Sequence, residues 1–104
     1  MLGRGRFGDL VERQLDLFEA DEAALLSEAE DADTRWTNAA REETEELYGD
    51  YQLVVDQIAE QLLDIRETYA SSLDERTGSR YRVEFNRAAV SRFRRYATLL
   101  TEEK

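Results

Sequence analysis

The chain has 104 residues, 37% of them charged and 41% hydrophobic, with no proline, cysteine or histidine and a formal net charge of −10. One small domain is the most this length supports, and its apolar content is high enough to fold. The absence of Cys and His removes disulfides, zinc sites, haem ligation by His, the usual serine and cysteine triads and Glu-x-x-His di-iron centres, and leaves magnesium or calcium held by carboxylates as the open metal chemistry.

Ala, Glu, Leu, Arg and Gln, all good helix formers, dominate the sequence, so the fold is expected to be all-α. Residues 1–8, with three glycines plus Arg4 and Arg6, read as a flexible basic lead-in that lacks a signal-peptide core. Asp9 then stands as an N-cap, with Glu12 completing a capping-box pair. Val11, Leu15, Phe18, Leu25, Ala29, Ala32 and Trp36 follow at helical spacing, with Glu22 interrupting the series. This first helix is expected over about 9–31. Residues 27–46 form a polar waist, where Asp31, Asp33 and Thr34 favour a break near 31–34; a single helix from 9 to 74 is the alternative.

The second helix is expected over about 34–74. Tyr48, Val55, Leu62 and Tyr69 form one heptad row and Tyr51, Ile58 and Ile65 the other, a coiled-coil-like seam in which Gly49 is a candidate kink. Around Asp74–Ser79 the sequence reads as a turn, with Gly78 left-handed past a helix end and Ser79 capping the next helix. The last helix, about 80–101, puts Tyr81, Phe85, Ala88, Ala89, Phe93, Tyr96, Leu99 and Leu100 on one face, and Arg76, Arg80, Arg87 and Arg94 opposite.

Charge divides sharply between these segments. Residues 7–75 carry 21 of the 24 carboxylates and a net of −17, whereas residues 76–95 hold seven arginines against one acid, Glu84. Such a chain docks on itself, on a copy of itself or on another anion. Nucleic acid is not the expected partner, because the aromatics of the last helix follow core spacing and the acidic body repels phosphates. A membrane surface is not expected either: the last helix lacks lysine and a Trp anchor, and no 15-residue apolar stretch exists. The expected location is cytoplasmic.

One string points toward catalysis. Glu19-x-x-Glu22 is followed downstream by Glu-Glu-Leu-Tyr-Gly-Asp at 45–50 and an apolar run, which resembles the all-α nucleoside triphosphate pyrophosphohydrolases. The resemblance implies a divalent-metal-dependent enzyme using Glu19, Glu22, Glu46 and Asp50 to bridge a triphosphate. It covers about a tenth of the chain, and Tyr48 is inserted where that family's register needs none, leaving Glu46 and Asp50 four apart rather than three. A solvated helix face is the better account of most of these acids, so no catalytic, cofactor-binding or metal-ligating residue is assigned and no cofactor or small-molecule substrate is expected.

These observations lead to an all-α domain over residues 9–104, an antiparallel helical hairpin or elongated three-helix bundle. Its expected role is non-enzymatic interaction or assembly through helix surfaces, with self-association or another protein as partner and Trp36, Arg80, Arg87 and Arg94 as the interaction residues. A small adaptor docking its arginine-rich last helix on an acidic partner is a further alternative. The motive for self-association is length: the last helix covers about 33 Å, whereas residues 9–74 as one rod reach about 99 Å and leave the stripe from Val11 to Leu25 uncovered.

Overall fold

The computed structural model describes residues 5–97 and Leu100, and every regular element among them is helical. Helix α1 spans Gly8–Asp21, α2 Ala23–Thr37, α3 Thr44–Ala70 and α4 Glu75–Arg92, with a 3-10 turn at Arg41–Glu43. The described body measures 50 × 25 × 23 Å. No helix among the described residues is long and apolar enough to cross a membrane. Residues 1–4 of the basic lead-in, and Thr98, Leu99 and Thr101 of the expected last helix, lie outside the described residues.

The first stripe is helical throughout, but its boundaries differ from expectation. The discontinuity falls at Glu22, the one charged residue on the stripe, which leaves helical geometry at ψ 30° while its N–H still donates to the Phe18 carbonyl. No break occurs at 31–34. There Thr34 donates its hydroxyl to the Glu30 carbonyl and Asp33 accepts from Thr37, contacts that leave both residues inside a helix rather than at its start. The chain instead reverses at 38–43, where Ala40 is extended and the Thr44 hydroxyl donates to its carbonyl. The single helix from 9 to 74 is therefore also overturned.

Other caps differ too. Asp9 lies inside the first turn of α1, not before it, and Phe7 occupies the cap position with its ring buried. The Phe7 N–H donates to Glu84 Oε1 at 2.9 Å, so α4 supplies the acceptor that the local sequence lacks. At the other turn Asp74, not Ser79, caps α4: its carboxylate accepts from both the backbone N–H and the hydroxyl of Thr77, and these bonds hold its pKa below the ordinary value. The helix accordingly starts at Glu75 rather than 80. Gly78 lies within its first turn, where a side-chain Cβ would come 3.2 Å from the Ala70 carbonyl oxygen. The glycine permits close approach of α4 to the end of α3 and makes no left-handed turn. Helix α3 continues through Gly49 without interruption.

Helix α3 is central: α2 and α4 lie against it, and α1 lies against α4. Val54, Val55, Ile58, Ala59, Leu62, Arg66 and Ala70 are its buried residues, a wider face than two heptad rows because two neighbours must be covered. From α4 come Tyr81, Phe85 and Ala89, all fully buried, and Phe93 follows at 6% exposure just past the helix end. Val11, Leu15 and Phe18 of α1 are equally covered. Edge-to-face pairs knit these surfaces together, Phe7 with Tyr81 and Phe18 with Phe93, each with ring centres 5.5 Å apart. The stripe expected to need a second copy is thus buried in cis.

Candidate interaction surface

Half of the arginine problem is solved inside the molecule. Arg82 forks onto Glu67, Nε to Oε2 at 2.8 Å and Nη2 to Oε1 at 3.0 Å. Buried Arg66 reaches the same carboxylate at 2.7 Å and donates to Asn86 Oδ1 at 3.0 Å. The bond from Arg82, with help from Arg66, holds the Glu67 carboxyl below its usual range. Arg92 binds three carboxylates of α1: Glu12 at 2.5 Å, Asp16 at 2.8 Å and Glu19 at 3.2 Å. Partial burial pulls the Arg92 pKa down, and the hydrogen bond to Asp16 with the surrounding charges more than reverses this, so the net shift is upward. Arg95 pairs with Asp33 of α2. Four arginines therefore staple the helices to one another.

The other arginines of α4 face outward. Arg76, Arg80 and Arg87 are exposed, and among the described residues they enter no ion pair. Together with Val83, itself 54% exposed, they form one stripe of α4 at 4/3/4 spacing. The stripe borders a cleft of about 520 Å³ that Gly5 and Arg6 close from the other side. Glu84 lies in the same cleft but is committed to the Phe7 N–H. A Cβ at Gly5 would sit 2.4 Å from the Glu84 carboxyl, so only glycine fits beside that contact without a shift. A second cleft of about 240 Å³ shares Gly5, Glu84 and Arg87 and extends along Val11, Ala88 and Ser91.

The residues expected at the interaction surface do not form one patch. Arg80 and Arg87 stand together, but α4 ends at Arg92, and Arg94 lies in the following turn, beside a different cleft with Glu19, Glu30 and Asp33. Trp36 lies in the last turn of α2, just before the reversal at 38–43. Its ring meets Tyr48 edge-on with centres 5.0 Å apart and lies 6.1 Å from Tyr51. Trp36 Nε1 is buried with no hydrogen-bond partner, while Tyr48 remains 45% exposed. Nearby Tyr51 and Tyr96 have raised pKa values, chiefly through burial and then through the charges of Asp33 and Glu30 respectively.

The four carboxylates of the pyrophosphohydrolase resemblance are not brought together. Glu22 shares a cleft with Gln61 of α3, whereas Asp50 lies eleven residues earlier on that helix, about 16 Å away along its axis. Glu19, Glu46 and Asp50 are exposed. Among the described residues no group of three or more Asp or Glu side chains is placed to hold a metal ion.

Glu84, Phe7, Arg92 and Glu67 were not singled out by sequence reasoning. Glu84 carried a usable signal as the one acid among seven arginines; the others depend on which helices become neighbours. Comparison with known protein families, curated proteins and solved structures gives no match.

Proposed function

We propose that this chain is a non-enzymatic helical interaction and assembly protein. It is read as an elongated three-helix bundle, with the interrupted helix 8–37 as one member and a coiled-coil-like seam along α3, acting in the cytoplasm. Its docking face is the outer surface of α4, and its partner presents carboxylates. The observation that carries this reading is the division of the arginines. Arg66, Arg82, Arg92 and Arg95 have carboxylates within the fold, while Arg76, Arg80 and Arg87 extend into solvent around exposed Val83. An apolar side chain flanked by guanidinium groups suits an acidic helix or extended segment with one apolar anchor, because arginine binds carboxylates through two parallel hydrogen bonds. Single exposed ion pairs contribute only ~0–1 kcal/mol, so affinity is expected to be modest and dependent on several pairs acting together.

The test is fluorescence anisotropy with a labelled peptide rich in Glu and Leu. Binding that weakens with salt, and falls at least tenfold in R80E/R87E while thermal unfolding stays within a few degrees of wild type, supports the reading. Equal binding by wild type and R80E/R87E refutes it.

A further inference from the structure

The exposed arginine stripe of α4 and the densest run of exposed carboxylates lie at opposite ends of the molecule. The reversal and first turns of α3, residues 41–50, carry Glu42, Glu43, Glu45, Glu46 and Asp50 against Arg41, and all six side chains are exposed. The arginine stripe sits at the other end: Arg82 is bound to Glu67 and Asn86 to Arg66, both near the end of α3. Glu46 and Arg66 are twenty residues apart on that uninterrupted helix, about 30 Å along its axis. Within one chain the two sets therefore cannot meet. The acidic end also carries its own exposed apolar residue, Leu53 at 69%, beside Glu46 and Asp50. Glu46, Asp50 and Leu53 occupy one helix face at 4/3 spacing, the spacing at which Arg76, Arg80 and Val83 of the α4 stripe present the opposite charge and an apolar residue.

We propose that a second copy of this chain is the acidic partner: its Glu46–Asp50–Leu53 face docks on the Arg80–Val83–Arg87 face, giving head-to-tail association. This rests on the docking face assigned above. The contact is heterologous, since each copy uses a different surface at each end, so it propagates into chains or closes into a ring instead of stopping at a two-fold dimer. The net charge of −10 on each copy opposes association at long range. At ~0.15 M salt that repulsion is screened beyond about 8 Å, while side chains in contact are screened much less. Association is accordingly strongest at intermediate ionic strength and lost at ~1 M.

Sedimentation velocity at high micromolar protein and ~0.15 M salt tests this, with R80Q/R87Q and E46Q/D50N as variants that each remove one half of the contact. Wild type is expected to show a mass that rises with concentration above 12.1 kDa. Each variant alone is expected to stay monomeric, and an equimolar mixture to form a species of twice the monomer mass that grows no further, because each partner retains a single complementary face. Wild type that remains monomeric, variants that associate like wild type, or a mixture that stays monomeric or grows past the dimer would each overturn the proposal. The peptide experiment separates the two levels: a monomeric protein that still binds acidic peptide through Arg80 and Arg87 loses the self-association and keeps the docking face, and one that does neither loses both.

Discussion

The two ends of this molecule are built from the same helical periodicity but from side chains of different size. Where α1, α3 and α4 meet, Phe7, Tyr69, Tyr81 and Phe85 form an aromatic cluster, with Tyr69 and Tyr81 centres 4.8 Å apart. Where α2 runs beside α3 toward the reversal, the buried residues are Ala29, Ala32, Val54 and Val55, and the covering aromatics Trp36 and Tyr51 are only half-buried. Burial stabilises by about 0.8 kcal/mol per methylene, so the alanine-lined end gains far less per residue fixed than the aromatic end. It follows that the reversal end opens more readily, and that the arginine stripe is mounted on the firmer half of the fold.

The largest expected effect probes the firm end. Phe85→Ala removes a ring with 0% exposure and is expected to cost about 3–5 kcal/mol in chemical denaturation, enough to leave the chain partly unfolded. A loss below ~1 kcal/mol would dissolve the contrast, because it would mean that the aromatic end also collapses around a void.

Alkaline pH attacks the same cluster without mutation. Burial pushes the Tyr81 phenol up from 10.0 to about 12, and its O–H donates to Gln14 Oε1 at 2.8 Å. The folded state therefore binds this proton more tightly than the unfolded one. The stabilising contribution is whole below pH 10 and is lost as pH rises toward 12, with a limiting loss on the order of 2–3 kcal/mol. Urea midpoints measured from pH 9 to 12 should fall, and more steeply than those of Tyr81→Phe. Parallel curves for the two proteins would show that the phenol is not shielded.

Ala29→Leu sharpens the comparison from the other side. Ala29 is fully buried, and inserting three carbons there is expected to cost about 1–3 kcal/mol if α2 and α3 are in tight contact. A neutral or stabilising result would show that the alanine-lined end has room to spare.

Much of this architecture was legible in periodicity, for identifiable reasons. The aromatic face of the last helix is recovered at Tyr81, Phe85, Ala89 and Phe93, because nothing but a helix packed on a core buries that spacing. Boundaries were less legible, since caps depend on which side chains find partners. Asp33 and Thr34 are good cap residues that bond within the helix instead, and Asp74 captures the cap that Ser79 also suits. A last helix over about 80–101 makes Arg94 part of one arginine face; α4 stops at Arg92, whose three carboxylate partners on α1 are invisible without the tertiary arrangement. Reversal at 38–43 had no glycine or proline to announce it.

The smallest expected effect separates local propensity from packing at the acidic end. Gly49 lies in the second turn of α3, exposed, and a Cβ built there meets nothing within 4 Å. Alanine costs nothing sterically at that position, reduces the freedom of the unfolded chain and is expected to stabilise the protein by about 0.5–1 kcal/mol. The gain should appear first in amide exchange near the reversal, because that end unfolds locally before the aromatic cluster gives way. Slower exchange over 44–53 with little change over 78–89 would show that the two ends open separately. Equal slowing over both segments would make the helices a single cooperative unit, and the contrast in side-chain size would then have no counterpart in local stability.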